Sequence, residues 1–162
     1  MKAENEGTLR QLIGDIFRPL DPVDVKRMKR FVVAKRFAVG CRGEVPIRSV
    51  GGNFEEAFFY SNAVEVNVPA RKLRVQELDR SNGDTSIRWA LGADKAIIYV
   101  CYFWQYLKTA DRKEAHLTSC KDPQDILWAI NAIWCEVGWR IGAYPPHCTE
   151  IRRVGYRVVS LW

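Results

Sequence analysis

In three stretches between residues 64 and 91 apolar side chains fall at every second position, a period that directs this part of the chain into β-sheet. Val64, Val66 and Val68 alternate with polar residues, Leu73 and Val75 continue beyond Pro69, and Ile87, Trp89 and Leu91 alternate again. Successive side chains of a strand point to opposite faces, so the pattern presents one apolar face to a core. Ser81-Asn82-Gly83-Asp84 interrupts it with a turn, because Asn-Gly readily adopts positive φ. A meander of short antiparallel strands is expected here.

Helical spacing governs other segments. Leu9, Leu12, Ile13 and Ile16 share one face of a short helix over 8–17, with Thr8 as its cap. Asp21-Pro22-Val23-Asp24 and Asp122-Pro123-Gln124-Asp125 repeat one pattern. Aspartate accepts free N–H groups at a helix start, proline there loses no needed donor, and a further carboxylate faces the positive end of the dipole. Helices are therefore expected from Pro22 and Pro123. The first turns Val25, Met28 and Val32 inward and Lys26, Arg27, Lys29 and Arg30 outward. From Phe31 to Val39 the rising β-branched and aromatic content leaves helix and strand both open. Glycines and Pro46 mark loops over 40–53. Ala93 to Leu107 is apolar nearly all round, which fits a buried helix or a buried strand, with length and Lys108 favouring the helix. The polar segment 110–120 allows a second short helix. Pro123 to Val137 carries Ile126, Leu127, Ile130, Ile133, Trp134 and Val137 at helical spacing. Pro145-Pro146 is a rigid connector, and 151–161 reads as strand, turn and strand around Gly155.

A chain of 162 residues suits one domain, or a compact domain with an extension. It has no run of about 18 apolar residues, the length of a membrane-spanning helix. Its first residues are acidic without an apolar core, unlike a secretory signal. The five cysteines are odd in number and irregular in spacing, which argues against a disulfide framework and for a reducing, cytoplasmic setting. Cys101 and Cys135 sit in apolar segments as small hydrophobes. The formal net charge of +6 is spread along the chain and is compatible with an acidic partner without identifying one.

Thr149-Glu150-Ile151-Arg152-Arg153-Val154-Gly155-Tyr156-Arg157-Val158 resembles the terminal hairpin of the winged-helix DNA-binding domain of OmpR/PhoB-type response regulators. Leu73 to Asp79, the Asn82-Gly83 turn and Leu91 to Lys95 resemble that domain's opening sheet and its passage into the first helix. The resemblance covers about 64–162. It implies an α+β fold: an N-terminal helical or irregular segment over 1–63, then a winged-helix-like domain over 64–162 with a short antiparallel sheet and a C-terminal hairpin. The helix over 123–137 would enter the major groove with Gln124 and Asn131, which can read adenine. Arg152, Arg153 and Arg157 would form the wing, Arg140 would lie just beyond the helix, and Lys26, Arg27, Lys29 and Arg30 would meet phosphates. The chain departs from the family in having no lysine or arginine between Pro123 and Gly138. Residues 1–63 do not resemble a receiver domain.

The expected function is a non-enzymatic DNA-binding regulator of transcription. The alternative is a protein-interaction module on the same scaffold, an inhibitor, adaptor or assembly subunit, favoured by the arginine-poor helix and six tryptophans. The expected partner is double-stranded DNA or a protein, a homodimer is compatible, and no membrane association is expected. His116, Cys120, His147 and Cys148 are of metal-ligand and Cys-His type, but their spacing matches no common zinc motif. No cofactor or metal site is expected.

Overall fold

The computed structural model describes residues 16–162. Nearly all of the short helix expected over 8–17 lies outside them. Twelve strands and five short helices follow, and the centre of the molecule is a mixed eight-stranded sheet. Its order is β1 (Phe17–Pro19), β6 (Arg71–Leu78), β12 (Arg157–Leu161), β8 (His116–Lys121), β9 (Leu127–Cys135), β10 (Gly138–Tyr144) and β4 (Ile47–Val50). β2 (Val23–Val25) shares the outer edge of β6 with β1. β12 with β8 and β10 with β4 are parallel pairs, and the rest are antiparallel. Strands from 16–63 thus pair with strands from 64–162. Two ribbons stand apart: β3 (Met28–Val32) with β5 (Val64–Val68), and β7 (Asn82–Gly83) with β11 (Ile151–Arg152).

The sheet is covered on both faces. One face presents Leu73, Val75, Val159, Ile130, Trp139 and Ile141 to the larger core. The covering elements are α1 (Val33–Arg36), α2 (Gly52–Phe54, continued by a π turn over Glu55–Phe59) and α5 (Val100–Leu107). Among them Phe31, Phe37, Phe54, Phe58 and Trp104 pack ring against ring. The other face presents Leu117, Ala129 and Val158 to Ile16, Phe17 and Ile87, the last from α3 (Asp84–Leu91).

This architecture overturns the winged helix. The segment from Pro22 forms β2 and β3, not a helix, so the basic residues lie on strands and the corner between them. Residues 127–135 form a sheet strand, not a groove-entering helix. The cause lies in Asp122. Its carboxylate accepts the N–H groups of Gln124 and Ile126 at 2.9 and 3.0 Å, as a cap would, but Asp122 N–H also donates to the Ile126 carbonyl and Asp125 takes φ 65°. The carboxylate therefore closes a turn that starts a strand, a second use open to the same side chain. The terminal segment is no hairpin either. Gly155, at φ 97°, reverses the chain, but β11 pairs with β7, whereas β12 joins β6 and β8. The segment 84–91 is α3 rather than a strand, and 116–121 is a central strand. The expected 93–107 helix is split: α4 (Ala93–Ala96) and α5 are separated by extended residues, because Ile98 N–H bonds the Ser119 carbonyl. Val64–Val68 and Arg71–Leu78 are strands as their alternation requires. No helix among the described residues is long and apolar enough to cross a membrane.

Candidate ligand-binding cleft

The break between α4 and α5 borders a cleft in the described molecule. The extended residues 97–99 run beside the open end of the sheet, and β5 stands opposite them on its ribbon. Between the two lies this cleft of about 840 Å³, whose lining includes Pro69, Arg71 and Lys121 to Pro123. Its walls are largely apolar, with Val33, Phe58, Ala63, Ile97, Ile98 and Leu161 among them. Exposed hydrophobic residues form its rim: Val64 is 41%, Val66 59% and Tyr99 48% exposed.

The polar groups fall into two kinds. Glu65 projects from β5 to the start of α5 and accepts the N–H groups of Val100 and Cys101, both at 2.8 Å. A carboxylate there satisfies orphan donors and faces the positive end of the helix dipole. Burial pushes its pKa up, and the two backbone donors pull it back only in part, so the net direction is upward. Asp122 is occupied likewise, by its two backbone donors and by Trp128 Nε1 at 2.9 Å. Tyr102 donates to the Pro69 carbonyl at 2.7 Å. Burial raises its pKa and the nearby Arg71 opposes the rise. The second kind is open. Arg71 is exposed and has no ion-pair partner among the described residues, and Lys121 holds the exposed Asp125 at 3.2 Å. Gln105 accepts Lys26 N–H at 2.8 Å and donates to its carbonyl at 3.0 Å, which ties the β2–β3 corner to α5.

The residues expected to meet DNA are not brought together. Arg152 is buried on β11 and its guanidinium is held by Asp84. Asn131 is buried on β9. Gln124 is exposed in the turn before β9. Arg157 pairs with Glu77 at 3.0 Å, and the register places it on the sheet face opposite that of exposed Arg140. Arg153 is exposed beyond β11, and Lys26, Arg27, Lys29 and Arg30 are exposed around β3.

His116 is fully buried. Its ring nitrogens meet the Tyr106 hydroxyl and the Asp111 carbonyl, both at 2.6 Å, so Nε2–H donates to the carbonyl and Nδ1 accepts from the tyrosine. Both nitrogens are thus engaged. Cys120 is buried, and no group of three metal-ligating side chains occurs among the described residues. The sequence reading missed the cleft. Glu65 occupies the polar position of an alternating strand, where a carboxylate draws no notice, and Arg71 is one arginine among many. No family model, curated protein or solved structure matches the chain.

Proposed function

We propose that the protein is a non-enzymatic interaction module whose cleft takes an extended segment of a partner protein along β5. One observation carries this reading: a largely apolar cleft lies beside a strand that, among the described residues, pairs with β3 alone. A free strand edge offers backbone donors and acceptors to an added strand, and neighbouring pockets select its side chains. The exposed Val64, Val66 and Tyr99 at the rim supply the apolar surface that marks such sites. Both carboxylates of the cleft are occupied by fixed donors, which favours binding over proton transfer. The free state of all five cysteines supports a reducing, cytoplasmic setting.

Selection of a random heptapeptide display library on the purified protein tests the reading. The expected result is enrichment of peptides with apolar residues at alternate positions, whose binding Val66→Asp abolishes. Enrichment of peptides indifferent to that substitution contradicts it. Sedimentation at rising concentration separates a foreign segment from a second copy of the chain.

The exposed Lys26, Arg27, Lys29 and Arg30 favour a second reading, contact with duplex DNA without a winged helix. Such binding weakens steeply with salt as counterions are released. No binding to any duplex at low salt would remove it.

A further inference from the structure

Resting on that reading of the cleft, we propose that the partner segment carries a carboxylate, which Arg71 holds among apolar contacts. Four charged side chains line the cleft: Glu65, Arg71, Lys121 and Asp122. The two acids are already satisfied from within, Glu65 by the start of α5 and Asp122 by its turn and Trp128. Their oxygens are taken up by these neutral N–H donors, although each keeps its negative charge. The two cations differ. Lys121 is held only by an exposed contact with Asp125, which stabilises little and exchanges readily. Arg71 has no ion-pair partner among the described residues, while its charge acts on Tyr102 inside the cleft. Of the four, Arg71 is the one whose side chain has no hydrogen-bond or ion-pair partner among the described residues. A guanidinium presents a planar fork that matches a carboxylate with two parallel hydrogen bonds. Apolar walls lower the local dielectric and strengthen that contact once a ligand has displaced water. Val64 and Val66 line the β5 side of the cleft and Tyr99 the side opposite, so the complementary segment is extended, apolar at alternate positions and acidic at one position.

The heptapeptide selection also tests this inference when Arg71→Gln and Arg71→Lys are added. Arg71 is exposed, and thermal unfolding of each variant serves as the check that it folds. The enriched peptides are expected to contain aspartate, glutamate or a free C-terminal carboxylate. Their affinity should fall roughly tenfold in Arg71→Gln, the scale of a charge-assisted hydrogen bond, and less in Arg71→Lys. Replacing the peptide's acid by its amide should cause the same fall in the wild type and none in Arg71→Gln. Enriched peptides that are neutral or basic, or acidic peptides that bind Arg71→Gln as tightly as the wild type, overturn the proposal and leave the peptide cleft standing. Enrichment that Val66→Asp does not affect overturns the cleft reading itself.

Discussion

Arg152 grips both carboxylate oxygens of Asp84, Nε at 2.8 Å from Oδ1 and Nη2 at 3.0 Å from Oδ2, with both side chains almost wholly withdrawn from water. The pair joins the first turn of α3 to β11, and the guanidinium lies 4.4 Å from the centre of the Tyr144 ring. Removing Asp84 leaves the buried guanidinium only the looser contact with exposed Glu150 at 3.6 Å, and removing Arg152 leaves the Asp84 carboxylate buried without this partner. Arg152→Ala or Asp84→Ala should each destabilise the protein by about 3–5 kcal/mol, measured by urea unfolding. Asp84→Leu combined with Arg152→Met should recover most of that loss. Equal losses in the single and double variants would contradict a pairwise interaction.

His116 makes stability depend on pH. Burial lowers its pKa from 6.5 to about 4, the Asp111 carbonyl opposing that shift and the charge of Arg157 adding to it. The unfolded chain takes up the proton near its ordinary value, while the folded chain resists it. Stability from this residue is therefore complete above about pH 6.5 and declines as the pH falls toward 4, by about 3 kcal/mol in all. Comparing unfolding free energies of the wild type and His116→Gln across that window isolates the slope, which should be shallower in the variant. Parallel curves would show that His116 does not titrate in this way.

The cysteines should separate by reactivity. Cys41 is exposed, Cys135 and Cys148 are half-buried, and Cys101 and Cys120 are buried with their thiols pushed well up by burial. Thiolate is the reacting form. An aromatic disulfide reagent should modify Cys41 first, and Cys101 and Cys120 only on unfolding, as peptide mass mapping would show. Early modification of Cys101 would contradict the packing of α5.

Gly138 begins β10 where β4 approaches closely. A Cβ there would stand 2.8 Å from Arg48 N and 3.1 Å from both Ile47 C and Pro46 O, all backbone atoms. Gly138→Ala must therefore displace β4, at a cost of about 1–3 kcal/mol typical of overpacking. Thermal unfolding should show the loss, and wild-type stability in the variant would contradict the β4–β10 pairing.

Glu65→Ala should loosen the start of α5 by about 1–2 kcal/mol, as loss of a helix cap does. Faster hydrogen exchange at the Val100 and Cys101 amides would report it directly.

The parts of the fold legible in the sequence were strands in which apolar and polar residues alternate, although on β5 Val64 and Val66 are exposed. Val64–Val68 and Arg71–Leu78 announced themselves by alternation. The central strands did not. His116–Cys120 is buried at every position, and β9 buries Ile130 and Ala132 on one face and Ala129 and Asn131 on the other. Burial on both faces erases the two-residue period, and the apolar residues of 126–137 then matched a helical one by coincidence. Asp122 closes its turn with the same hydrogen bonds that cap a helix start, so its motif points to either outcome. Glu65 caps α5 across 35 residues of sequence, a distance at which no local pattern operates. The cleft depends on that long-range contact and on the extended break between α4 and α5, so no run of neighbouring residues encodes it.

The claim that the cleft receives an acidic extended segment is tested most directly by a titration of the labelled protein with one selected peptide, followed amide by amide in ¹H–¹⁵N spectra. The account predicts shifts concentrated in 63–71, 97–102 and 121–123, with slowed exchange of β5 amides and loss of the response in Arg71→Gln. Shifts centred on β9 and β10 or around Arg153, with β5 unmoved, would contradict it.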